Sequence, residues 1–149
     1  MTAPGGAGDR RETISELRVR YAETDQMGFV YHAHYLVWCD IGRTDFIREL
    51  GASYAELERG GLILAVADAR LRYHASARYD DVVRVHTRLE QVRSRAVAFG
   101  YDIVRAEPGP AARLATATVS LIALDANGSP RTLPPDFRAR LEAVASAPR

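Results

Sequence analysis

The 149-residue sequence predicts an α+β fold built on one antiparallel sheet. Three observations carry that expectation. Residues 33–50 repeat apolar side chains at helical spacing. Five other stretches, 12–21, 62–76, 82–90, 95–105 and 113–124, alternate with period two. The last four of these are joined by short turn signals, as antiparallel neighbours are. A single long helix between the first strand and the rest buries its apolar stripe only if the sheet covers it.

Taken in order, residues 1–11 hold Pro4, Gly5, Gly6 and Gly8 and predict a flexible tail; residues 12–145 then form one domain. In the first strand Thr13, Ser15 and Leu17 point one way, continued by Val19 and Tyr21, and Ile14 and Glu16 point the other. The helix stripe is Tyr35, Trp38, Cys39, Phe46 and Leu50. Gly42 lies on that stripe, where a missing side chain lets a sheet come close. Arg43, Asp45, Arg48 and Glu49 are expected on the solvated face, and Gly51 suits the helix end. Ser53 followed by Glu56 is a capping-box pattern, so residues 54–59 should form a short helix. Arg93-Ser94 and residues 107–111 read as hairpin turns, and Asn127-Gly128 as another. After Pro134-Pro135 a last amphipathic helix carries Phe137, Leu141 and Val144, with a frayed end from Ser146.

Composition narrows the function classes. Hydrophobic residues make up 47% of the chain, enough for a core. With 20 basic and 19 acidic residues the net charge is +1, so no whole-chain field attracts nucleic acid or a membrane. The single cysteine, Cys39, excludes an internal disulfide and a Cys-based zinc cluster, and its helical spacing reads as core packing. No apolar run has transmembrane length and the N-terminal residues lack a secretory apolar core; a cytoplasmic location is the expectation.

The chemistry concentrates between Arg20 and Tyr35. Asp25 is the only acidic residue between Thr24 and Asp40. A helix opening just after it points free backbone N–H groups back toward it. A carboxylate facing such donors can attack, or direct water at, a carbonyl whose oxygen they hold. The competing reading of Asp25 is an Asx turn or N-cap. His32 is equally a solvent-facing residue at a helix start. His34 takes that reading, and two histidines two apart share no helix face, so no metal pair is expected. Tyr21, Tyr31 and Tyr35 read either as pocket walls or as core, and Gly28 lets the loop turn. Arg93 and Arg95, flanking Ser94, suit phosphate binding or a solvated turn.

The run Tyr21-x-x-x-Asp25-x-Met27-Gly28-x-Val30-Tyr31-His32-x-x-Tyr35 resembles the active-site segment of the hotdog-fold acyl-CoA thioesterases. The branch it is most similar to holds 4-hydroxybenzoyl-CoA thioesterase and the small bacterial thioesterases of the Tol–Pal gene cluster. The likeness continues through Trp38 and Leu50-Gly51 into Leu71 to Asp81, with Ser76 or Ala77 where a Pro is common. The resemblance implies a five-stranded antiparallel sheet wrapped around the long helix. It implies a homodimer or homotetramer and hydrolysis of an acyl-CoA thioester without cofactor or metal. By the resemblance Asp25 is nucleophile or general base and the backbone N–H of His32 holds the thioester oxygen; Tyr21 beside them either donates its hydroxyl to Asp25, lines the acyl pocket, or belongs to the core at the strand end. It puts substrate against Gly28, Val30, Tyr31 and Tyr35, with coenzyme A phosphates near Arg93, Ser94 and Arg95. The rivals are a non-catalytic acyl-binding protein on the same fold and a hydratase. The hydratase needs His five residues after Asp, where this chain has Val30.

Overall fold

The computed structural model describes residues 11–145. The elements are β1 (Glu12–Arg18), a 3-10 turn (Tyr21–Glu23), α1 (His34–Glu49), α2 (Tyr54–Arg59), β2 (Ile63–Tyr73), β3 (Val82–Val92), β4 (Ala96–Glu107), β5 (Ala112–Leu124) and α3 (Pro135–Ala145). The five strands form one antiparallel sheet in the order β1-β3-β4-β5-β2. The α+β expectation and the strand number hold. Most of the expected tail, residues 1–10, and the end from Ser146 lie outside the described residues. Arg11 does not belong to a loose tail: it pairs with Glu49 at 3.2 Å and stacks 5.5 Å over the Phe46 ring.

One face of the sheet is the core. Val83, Val85, Thr87 and Leu89 of β3, Val97, Phe99, Tyr101 and Ile103 of β4, and alternate residues of β5 are buried against α1. From the helix come Tyr35, Trp38, Cys39, Phe46 and Ile47. Cys39 is fully buried and burial pushes its thiol up to about 12, which fits a packing role. At Gly42 the helix comes so close that an added Cβ would collide with the Thr87 hydroxyl and press on Val85. The expected close approach is therefore real, and it offsets the helix cost of glycine.

Arg43 departs from its expected place on the solvated face; it is 6% exposed. Its guanidinium donates to the Tyr54 hydroxyl at 2.8 Å, to the Tyr101 hydroxyl at 3.0 Å, and to Asp40. A buried cation must be solvated by the protein, and two phenols with one carboxylate do this. Burial works against the charged form, but Tyr101, Tyr54 and Asp40 outweigh it and raise the guanidinium above the ordinary arginine range. Periodicity could not show this, because the two phenols come from α2 and β4. Asp45 and Glu49 are also less free than expected: Ser15 and Thr13 of β1 donate to them at 2.6 and 2.7 Å.

β1 is shorter than the expected 12–21. It ends at Arg18, and Tyr21 enters the 3-10 turn instead of continuing the strand's face. β2 is the other edge of the sheet, paired on one side to β5 alone. Most of its residues are exposed.

Gly42→Ala is expected to destabilise the protein by about 1–3 kcal/mol, because overpacking against Thr87 and Val85 exceeds the roughly 1 kcal/mol gain in helix propensity. Urea unfolding of the two proteins checks the sign; a more stable variant would show that the helix and sheet are not in contact there.

Candidate active site

The loop from Arg20 to Ala33 is held near both ends by one buried residue, Glu23. Glu23 is 4% exposed. Its Oε1 accepts the Arg20 backbone N–H at 2.8 Å and its Oε2 accepts the Trp38 indole N–H at 3.0 Å. Its own carbonyl accepts the Tyr31 N–H at 2.8 Å. The 3-10 turn, the loop's return and the helix are thus tied through one residue. Burial pushes its carboxyl up, but the Arg20 backbone bond and the Trp38 bond outweigh burial, so the net pKa is below the ordinary value of 4.5.

Inside this frame residues 25–29 fold into a tight turn. The Asp25 N–H donates to the Phe29 carbonyl at 2.8 Å, and the Gly28 N–H to the Asp25 carbonyl at 3.0 Å. Gly28 sits at φ +86°, a conformation that L side chains rarely adopt. Asp25 Oδ1 accepts from the backbone N–H of Met27 at 2.9 Å and of Phe29 at 3.3 Å. The Asx turn is therefore present. It uses one carboxylate oxygen; Oδ2 makes no hydrogen bond to the described residues. The Asx turn and the chemical reading of Asp25 are compatible, because different oxygens serve them.

A cleft of about 340 Å³ opens beside this turn. Asp25, Val30, His32 and Tyr35 line it together, so four of the expected site residues share one space. Its other walls are Met27, Phe29, Tyr73 and the segment His74 to Ser76. α1 starts at His34, with Ala33 as its N-cap. The His34 N–H donates to the Tyr31 carbonyl at 3.0 Å. The backbone N–H groups of His32 and Ala33 donate to none of the described residues, which leaves two donors at the positive end of the helix. The His32 ring lies 4.4 Å from that of Tyr31.

The remaining expected residues fall elsewhere. Gly28 and Tyr31 shape the loop without lining the cleft. Tyr21 is 77% exposed, stacks edge-on against Tyr79 at 5.6 Å, and makes no hydrogen bond to Asp25. Tyr35 unites its two readings: it is buried, it faces the cleft, and its hydroxyl accepts the Ala77 N–H at 3.0 Å. Arg93, Ser94 and Arg95 form the β3–β4 hairpin beside a second hollow of about 270 Å³, lined in part by Arg93. Neither arginine has a carboxylate partner among the described residues. Strand register puts this hairpin at the other end of the sheet from Tyr73, roughly 25 Å away along the strands.

A family model described as the thioesterase-like superfamily matches residues 19–141. The chain belongs to the thioesterase-like superfamily. It is a thioesterase on the hotdog fold, with the five-stranded sheet wrapped on α1. It is similar to YneP of Bacillus subtilis (strain 168), 42% identical over 111 residues that cover 74% of this chain and 78% of the relative. It is also similar to the acyl-CoA thioester hydrolase YbgC of Escherichia coli O157:H7, 33% identical over 61% of this chain and 68% of the relative. Among solved structures, the DHNA-CoA thioesterase of Staphylococcus aureus superposes with a TM-score of 0.85 at 32% identity, covering 91% of each chain.

Sequence reasoning missed Glu23 and Tyr73 of this thioesterase. Glu23 falls at an unspecified position inside the motif, and an acidic residue there carries no signal of burial. Tyr73 was visible only as part of a strand, although its position on the inner face, opposite Ala115, follows once the register is known.

Glu23 gives a prediction with a definite sign. Its folded pKa is depressed, so its contribution to stability is present above the unfolded value near 4.5 and is lost as pH falls through the lower folded value. Glu23→Gln should lower the melting temperature at neutral pH and flatten the loss of stability on acidification. Melting curves of both proteins from pH 7 downward test this; parallel profiles would remove Glu23 from the account.

Proposed function

We propose that this thioesterase hydrolyses acyl-CoA to the free acid and coenzyme A, with Asp25 as the reacting carboxylate. The observation that carries the reading is the division of labour at Asp25. Oδ1 is bound by two backbone N–H groups, Oδ2 has no partner among the described residues, and Asp25 lines the same cleft as His32. Oδ2 either attacks the thioester carbon, expelling coenzyme A thiolate and leaving an acyl–Asp25 anhydride for water to open, or removes a proton from the attacking water. Both routes put negative charge on the carbonyl oxygen. The unpartnered N–H of His32, at the start of α1, is the donor for it. The relatives named for acyl-CoA hydrolysis support the substrate class.

A second copy of the chain completes the substrate site in this reading. β2 is an exposed edge with unpaired backbone groups, and such an edge can take another strand. Antiparallel pairing of two β2 strands about a two-fold axis would bring the partner's β3–β4 hairpin to the cleft end of the joined sheet. Arg93 and Arg95 would then serve the neighbour's coenzyme A phosphates.

Asp25→Asn should preserve the fold and lower kcat about a hundredfold or more. His32→Ala should cost less, because the backbone N–H remains. Near-normal kcat in a folded Asp25→Asn protein would refute the mechanism, and binding without turnover by the wild type would refute the enzyme.

Replacing both Arg93 and Arg95 with Ala should raise KM about tenfold or more for acyl-CoA, since each charge-assisted bond contributes about 1.5–3 kcal/mol. It should act little on an acyl-pantetheine, which lacks the nucleotide phosphates. Equal effects on both substrates, or a 16.4 kDa species alone in sedimentation, would remove the shared site.

A further inference from the structure

We propose that Tyr73 is a positioning residue for the oxyanion-binding turn: its hydroxyl fixes the His32–Ala33 peptide at the mouth of the cleft. This inference rests on the Asp25 and His32 reading given above and adds a residue to it.

The argument begins with two consecutive peptide planes. A trans peptide points its C=O and N–H in opposite directions. The Tyr31 carbonyl accepts the His34 N–H at 3.0 Å, so the Tyr31–His32 plane is fixed and the His32 N–H points the other way. The next plane, His32–Ala33, has no such helical support. The first turn of α1 uses the carbonyls of Tyr31 and Ala33, the latter accepting the Leu36 N–H at 3.2 Å, and skips that of His32. The Tyr73 hydroxyl supplies the missing bond, donating to the His32 carbonyl at 2.9 Å. With both planes held, the dihedral angles of His32 between them are held as well. The two unpartnered N–H groups, of His32 and Ala33, then have set directions before substrate arrives. Preorganised donors of this kind avoid reorganisation in the transition state.

Tyr73 is itself well placed to hold something. It ends β2 on the sheet's inner face, opposite Ala115. Its ring meets that of Tyr35 edge to face at 5.3 Å and 81°. Tyr35 is buried and anchored by the Ala77 N–H. The chain of support runs from the segment after β2, through two aromatic rings, to the helix start. Phenylalanine would keep the ring contact and lose only the hydroxyl bond.

The test compares wild type, Tyr73→Phe and Asp25→Asn on the acyl-CoA that the wild type turns over fastest in a panel of aliphatic and aroyl thioesters. Tyr73→Phe should lower kcat about five- to tenfold with KM changed less than about twofold, as expected for loss of one hydrogen bond felt in the transition state. A second readout is infrared: the carbonyl stretch of a 13C-labelled thioester, bound to Asp25→Asn with and without Tyr73→Phe. The stretch should move back toward its free value when the hydroxyl is removed. Unchanged kcat and stretch in Tyr73→Phe, with Asp25→Asn inactive, would overturn the Tyr73 role and leave the Asp25 reading standing. A raised KM with normal kcat would make Tyr73 a substrate contact, and loss of the oligomer or a large fall in Tm would make it structural; each overturns the proposal. An active Asp25→Asn would instead refute the underlying mechanism.

Discussion

The contact between α1 and the sheet at Gly42 is the constraint on which the rest of the structure depends. One sheet with one buried face must enclose one helix, and a helix with a side chain at that point could not reach Thr87 and Val85. The depth of α1 sets where its N-terminus emerges, and the cleft forms there. Arg43 reinforces the same seat through the hydroxyls of Tyr54 on α2 and of Tyr101 on β4, the cross-strand neighbour of Thr87. A cation fixed by three partners resists sliding or rotation of the helix more specifically than apolar contact does.

The loop before α1 converts that seat into a site. Glu23 links the start of the loop to Trp38, one helical turn into α1, so the position of the loop follows the position of the helix. Asp25 then closes its own turn with one oxygen. Two acidic residues two apart thus have opposite fates. The buried one organises and has both oxygens engaged; the half-exposed one leaves an oxygen without a hydrogen bond to the described residues. Their environments, not their type, separate the roles.

Much of this was legible in the sequence. The alternation of β3, β4 and β5 and the stripe Tyr35, Trp38, Cys39, Phe46 are local patterns, and they held because each lies on one face of one element. Gly42 was legible for the same reason. The cluster of Asp25, Val30, His32 and Tyr35 was legible because a loop entering a helix keeps neighbours in sequence close in space. Arg43 was not, since a charged residue on a helix is read as solvated unless its partners are known, and the two phenols that bury it lie 11 and 58 residues away. Tyr73 was missed on the same ground: its hydroxyl finds a carbonyl 41 residues earlier. Tyr21 shows the opposite failure. Alternation carried it past Arg18 on the strand's face, but the backbone turns into a 3-10 helix before reaching it. Arg93 and Arg95 show the limit of a single chain: register alone separates them from the cleft of their own sheet.

The turn at residues 25–29 closes almost wholly through backbone atoms and Asp25 itself. No bond within it calls on the side chains of Met27 or Phe29, yet both residues line the cleft. The hydrogen bonds that hold the Asp25 carboxylate and the side chains that shape the space beside it are therefore separate. Substitutions at 27 and 29 can redraw the room for an acyl group while the carboxylate stays where it is, so a change of diet need not reopen the question of chemistry.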